Sequence, residues 1–129
     1  MKKVLTFVAI CLMSLQIATA QNSSQKFIIQ EQLPEFVGGE EALFDWIENN
    51  ISYPLMADVN SIEGRVVVSF DINEDGTVGN IRQEEAADPI LADEVINRLQ
   101  LMPQWIPAIQ NGRNVKVRYT LPIYFHLTF

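Results

Sequence analysis

The chain has 129 residues, 48% hydrophobic, 19% charged and 9% aromatic, enough for one domain with its own core and too few for two. Its formal charge of −7 disfavours phosphate backbones, so no nucleic-acid partner is expected. A single cysteine, Cys11, excludes an internal disulfide and a cysteine metal site.

Lys2 and Lys3 lead into an apolar run from Val4 to Leu15, and Ala18-Thr19-Ala20 supplies the small residues that a signal peptidase needs. Residues 1–20 therefore read as a cleavable signal peptide, which carries Cys11 away with it. The remainder keeps seven basic against sixteen acidic residues, a formal charge of −9. A lipoprotein signal would need a small residue where Ile10 precedes Cys11. An uncleaved inner-membrane anchor, the less favoured alternative, would need roughly 20 apolar residues, and Gln16 interrupts the run. The expected compartment is the periplasm, with no stable membrane span in the mature form.

Residues 21–33 open with a polar stretch through Asn22, Ser23, Ser24 and Gln25 and read as a flexible leader; residues 34–129 are the domain. After Gly38-Gly39, Glu40 and Glu41 suit the first turn of a helix, and Leu43, Ile47 and Ile51 recur at spacing four. A helix over 40–50 is expected, stopped ahead of Pro54, with a further turn over 55–59. The run from Gly64 to Ile72 is β-branched and aromatic, with Val66, Val68, Phe70 and Ile72 on one face and Val67 making the other partly apolar, so it is placed centrally in a sheet. Asn73-Glu74-Asp75-Gly76 reads as a hairpin turn, and a partner strand returns over 77–84. Asp88-Pro89 supplies an N-cap and a first-position proline for a helix over 89–101 that buries Leu91, Val95, Leu99 and Met102.

The last strand has the clearest pattern. From Val115 the odd positions are Val115, Val117, Tyr119, Leu121, Ile123, Phe125 and Leu127, and the even ones are mostly polar, which puts one face on the core. Pro122 has no N–H to donate and is tolerated mainly on an edge strand, so this strand is expected at an edge. The fold class is α+β, with two helices packed on one face of a three-stranded antiparallel sheet.

Residues for chemistry are scarce. His126 is the only histidine, so neither a histidine-pair metal site nor a well-placed catalytic dyad can be assembled; no catalytic residue, metal or cofactor is expected, and the chain does not read as an enzyme. Asp71-x-Asn73-x-Asp75-Gly76 imitates the opening of an EF-hand loop, but Arg82 stands where the bidentate glutamate belongs, which favours a plain turn. Trp105-Ile106-Pro107 reads as a packed connection. All sixteen acidic residues lie at or before Glu94, and the stretch after it carries Arg98, Arg113, Lys116 and Arg118 without an acid. Lys116 and Arg118 either pair within the sheet or help to receive an acidic peptide, since an edge strand offers backbone groups to an extended chain.

Tyr53-Pro54, then Ile62-Glu63-Gly64-Arg65-Val66-Val67-Val68-Ser69-Phe70, Asp75-Gly76, Trp105-Ile106-Pro107, Asn111-Gly112 and a closing strand resemble, in order and spacing, the TonB C-terminal domain over residues 34–129. The resemblance implies two helices on a three-stranded sheet and docking of the TonB box, a short segment of TonB-dependent outer-membrane transporters, as an added strand on the last strand, in the service of energy-dependent transport. Carried over, the docking residues are Lys116, Val117, Arg118, Tyr119, Thr120, Leu121 and Ile123, with Tyr53 and Pro54 as a second contact. The sequence departs from the energy transducer in lacking a histidine-bearing membrane helix and a proline-rich spacer: all six prolines fall within 34–129. Thirteen leader residues reach about 45 Å at most, which puts autonomous force transmission in doubt. The alternative is a self-associating or adaptor protein, with a possible homodimer, that uses the same edge.

Overall fold

In a computed structural model of the chain, residues 31–128 are described in full and Lys2–Phe7 by their backbone. The expected cleavage site after Ala20 and most of the 21–33 leader lie outside the described residues. Among the described residues six strands and three helices follow in order: β1 (Lys2–Phe7), α1 (Gly39–Asn50), α2 (Leu55–Val59), β2 (Gly64–Ile72), β3 (Val78–Ala86), α3 (Pro89–Leu99), β4 (Ala108–Gln110), β5 (Arg113–Val115) and β6 (Val117–Thr128).

The central strand of the antiparallel sheet is β2, with β3 on one side and β6 on the other. Its alternation works as expected: Val66, Val68, Phe70 and Ile72 are all 0% exposed. Leu43 and Ile47 of α1 and Leu91, Val95 and Leu99 of α3 close over the same face, joined by the inward residues of β6 from Val117 to Leu127. Fully burying each such side chain is worth about 1.5 to 3 kcal/mol. The opposite face carries Arg65, Ser69, Asp71, Glu84, Glu85 and Arg118, so the domain is a two-layer α+β fold with one apolar and one polar sheet face.

Local signals set the helix limits. The Asp88 carboxylate accepts the Ile90 N–H at 3.0 Å with Pro89 in the first helical position, and Glu40 and Glu41 occupy the first turn of α1. The turn expected over 55–59 is the short helix α2, and Asn73–Gly76 forms the hairpin turn, with the Asn73 N–H donating to the Thr77 carbonyl at 2.9 Å. Gly76 has φ +87°, and a Cβ there would stand 2.0 Å from the Trp105 carbonyl oxygen, so this turn needs glycine for conformation and for space.

Two expectations are corrected. The strand placed from Val115 to Leu127 is interrupted at Lys116: Arg113–Val115 pairs instead with Ala108–Gln110 in a separate hairpin. Asn111 (φ 53°) and Gly112 (φ 75°) make its two-residue turn, both with the positive φ of a type I′ geometry. The break falls there because β2 ends at Ile72, opposite Val117, and turns away, leaving Lys116 without a strand to follow. Second, β6 is not an edge along its whole length. Lys2–Phe7 lies antiparallel along it, from Lys2 opposite Thr128 to Phe7 opposite Ile123, and makes the sheet order β1-β6-β2-β3. An unguarded edge pairs with any extended segment that reaches it, and here the chain's own beginning does so.

Candidate strand-docking edge

The outer side of β6 is the feature that the fold builds toward. Against β2 the register runs from Gly64 opposite Phe125 to Ile72 opposite Val117 without a shift, and Pro122 sits within it opposite Val67. A proline can lie in an unshifted ladder only with its nitrogen turned away from the partner. Backbone groups alternate with period two, so the N–H groups of Thr120, Tyr124 and His126 share that outward direction. From Ile123 to Thr128 the outer side pairs with β1; from Val117 to Pro122 no strand lies on it among the described residues.

The side chains expected at this edge divide by face. Val117, Tyr119, Leu121 and Ile123 are 0 to 5% exposed and point into the core, so they anchor the strand while its backbone faces outward. Thr120 and Arg118 lie on the polar face. Arg118 donates to the Asp71 carboxylate at 2.8 Å and to the Ser69 hydroxyl at 2.9 Å, and Asn80 of β3 donates to the other Asp71 oxygen at 3.2 Å. Of the two readings of this cation, pairing inside the sheet is the one realised. Burial pushes the Asp71 carboxyl upward, but the hydrogen bonds from Arg118 and Asn80 and the nearby charges of Arg118 and Lys116 outweigh it and hold Asp71 below the ordinary carboxylate value. Lys116 itself is exposed between β5 and β6.

Tyr53 reaches β6 from the core side. It is 8% exposed, stands edge-on to Phe125 with ring centroids 5.4 Å apart, and donates its hydroxyl to the Ile62 carbonyl. Burial, then Glu63 and Asp58, push its pKa up. The contact therefore falls at the C-terminal half of β6, beyond Ile123. Pro54 is half-buried and starts α2, whose Leu55, Met56 and Val59 are 57 to 70% exposed.

Trp105 is 4% exposed and packs against Phe36, Phe70 and Tyr119 at centroid distances of 5.4, 5.9 and 4.9 Å, which makes its segment the packed connection expected. Its backbone N–H donates to the Gly76 carbonyl at 2.8 Å and so ties the β2–β3 turn to the core. An apolar cleft of about 120 Å³ opens beside it, between Pro34–Phe36, α1 and Tyr119. The acidic turn is occupied with its own contacts. Asp75 accepts the Thr77 N–H and hydroxyl, which lowers its pKa, while Asp71 faces Arg118.

The edge expected over Val115 to Leu127 includes most of the paired stretch, but the docking residues named within it stop at Ile123, and nothing in the pattern pointed to Lys2–Phe7 as the occupant. Val4, Thr6 and Phe7 carry strand propensity, but the same residues fit an export segment, and that pattern took precedence.

An antiparallel sheet covered on one face by helices, with a regular strand that pairs on its outer side with an extended segment of the same chain, defines a two-layer α+β domain. A family model described as Gram-negative bacterial TonB protein C-terminal matches residues 49–127, and the chain belongs to that family. No curated protein matches the chain. The match takes in α2, α3, the strands β2 to β5 and β6 up to Leu127, and it leaves most of α1 outside. The family is transport-related and non-enzymatic and is a periplasmic domain of Gram-negative bacteria. No helix among the described residues is long and apolar enough to cross a membrane.

Proposed function

We propose that this protein is a periplasmic module that docks the TonB box of outer-membrane transporters as an added strand on β6, in the service of energy-dependent outer-membrane transport. The observation that carries the reading is the pairing of six consecutive residues, Ile123 to Thr128, with an extended segment on the outer side of β6. Family membership supplies the class of partner. Because the side chains of Val117, Tyr119, Leu121 and Ile123 are core residues, recognition rests on backbone groups and tolerates sequence variation in the peptide. Each backbone bond contributes about 0.5 to 1.5 kcal/mol net, and ordering of the peptide offsets part of that, so affinity is weak to moderate.

The test is an NMR titration of the processed chain, residues 21–129, with TonB-box peptides of transporters from the same organism. Saturable amide shifts concentrated along Val117 to Thr128 and around Tyr53 are expected. A folded, monomeric domain with no shifts at high peptide excess would remove this function.

A second reading is favoured by one fact: the strand found on β6 comes from this chain itself. The same edge can take a strand from another copy, giving a swapped dimer. A dimer that persists on dilution and ignores TonB-box peptides would put this reading in place of the first.

A further inference from the structure

We propose that Lys2–Phe7 is a self-masking strand, which closes the C-terminal half of the docking edge while it remains attached and opens it when the first twenty residues are removed. The inference rests on the docking function proposed above and adds its regulation.

Strand β1 matches β6 residue for residue over six pairs without a shift. It covers the half of β6 that Tyr53 supports from below through Phe125, and therefore the part of the edge where a peptide would find both β6 and the second contact. Its contribution at the tip differs from that further in. Strand β2 reaches only Phe125, so the strand partner of His126, Leu127 and Thr128 is β1. Attachment matters as much as fit. Residues 8–30 tether β1 to the domain, and a tethered strand competes with a free peptide at an effective concentration on the order of millimolar. A weak strand–strand contact is then sufficient to keep the edge occupied. A mask that holds the edge closed nine-tenths of the time weakens the apparent affinity of any outside strand about tenfold.

The other edge of the sheet offers no comparable place. The β2–β3 register shifts twice, between Val67 and Val68 and between Ser69 and Asp71, and the exposed side of β3 is charged. The residues that mask are also those that read as the start of an export signal, Lys2, Lys3 and the beginning of the apolar run. Cleavage after Ala20 would therefore release the protein from the export machinery and uncover its edge in one step.

The test uses the purified full chain and its Val4→Pro, Leu5→Pro double variant. Adjacent residues face opposite sides of a strand, so one of the two prolines removes a donor from the β1–β6 ladder whatever its phase. In the wild type, amide exchange is slow from Ile123 to Thr128, and a synthetic peptide of residues 1–8 causes no shift. In the variant, protection falls at the outward amides of Tyr124, His126 and Thr128 and persists in β2, which reports that the domain stays folded. The added peptide restores the protection, and TonB-box peptide binds about tenfold more tightly than to the wild type. The processed chain, residues 21–129, behaves as the variant does. Unchanged protection in the variant overturns the mask, as does equal TonB-box affinity in both proteins, and the latter leaves the docking function standing. Recovery of protection by the 1–8 peptide with no response of either protein to TonB-box peptide supports the mask and removes the docking function.

Discussion

The two sides of this sheet treat an approaching strand differently. Along β3 the pairing with β2 shifts twice, Asn80 takes a positive φ of 48°, and Arg82, Gln83, Glu84 and Glu85 are exposed. Bulges and charges of this kind twist an edge and disfavour addition. Along β6 nine residues pair with β2 without a shift, alternate side chains are locked in the core, and the outer side has taken up β1. Receptivity to a strand thus follows from backbone regularity and from anchoring of the inward side chains. Of the basic residues beside β6, Arg118 is bound to Asp71 and Ser69, and Lys116 is exposed.

If the two edges share one frame, loosening that frame should disturb both. Trp105 is the point where they meet: it holds Gly76 of the β2–β3 turn by a backbone bond and packs on Tyr119 of β6. Gly76→Ala should cost about 2 to 4 kcal/mol, from a positive φ and a Cβ driven against the Trp105 carbonyl, and lower Tm by about 10 °C or more. Thermal denaturation followed by circular dichroism checks it. Unaltered Tm would mean that the turn and β6 are stabilised independently.

The contrast between backbone and charge is sharper at smaller magnitudes. Arg118→Ala should reduce stability by about 1 to 2 kcal/mol, the scale of hydrogen bonds to charged groups, and leave peptide affinity of the processed chain nearly unchanged. Thr120→Pro removes an outward N–H and should weaken TonB-box binding roughly five- to tenfold, whereas Lys116→Ala should change it less than about twofold. Calorimetric titration of the three variants separates the cases. Equal losses from Thr120→Pro and Lys116→Ala would show that charge attracts the partner, and the comparison of the edges would fail.

Much of this architecture was legible from residue patterns because each signal is local. Period two in Val66 to Ile72, spacing four in Leu43 and Ile47, the Asp88-Pro89 cap and the Asn111-Gly112 turn all act within a few residues, and each produced the element expected. The failures needed information from far along the chain. Val115 continues the alternation of β6, and only the place where β2 ends shows why the strand stops being one at Lys116. Pro122 pointed to an outward-facing side, but no pattern in Val117 to Thr128 says that Lys2–Phe7 would lie along it. Arg118 had two readings because its partner, Asp71, is distant in sequence and adjacent in register.

Asp71 joins the two edges on the polar face, since it accepts from Arg118 of β6 and from Asn80 at the bulge of β3. Its carboxyl is held below the ordinary value near 4, so the native state binds this proton less readily than the unfolded chain does. The stability it contributes is therefore complete above about pH 4 and is lost as pH falls through the lowered native value. Asp71→Asn keeps an acceptor for Arg118 and removes the charge, so at pH 7 the loss should be about 1 kcal/mol or less. The gap between wild type and variant should then close as pH falls below about 4, when the wild-type carboxyl also becomes neutral. Denaturant titrations at pH 7, 5 and 3 measure it. A gap that stays constant to pH 3 would mean that Asp71 acts through shape and hydrogen bonding alone, and the polar face would then bind the guarded edge to the receptive one without help from charge.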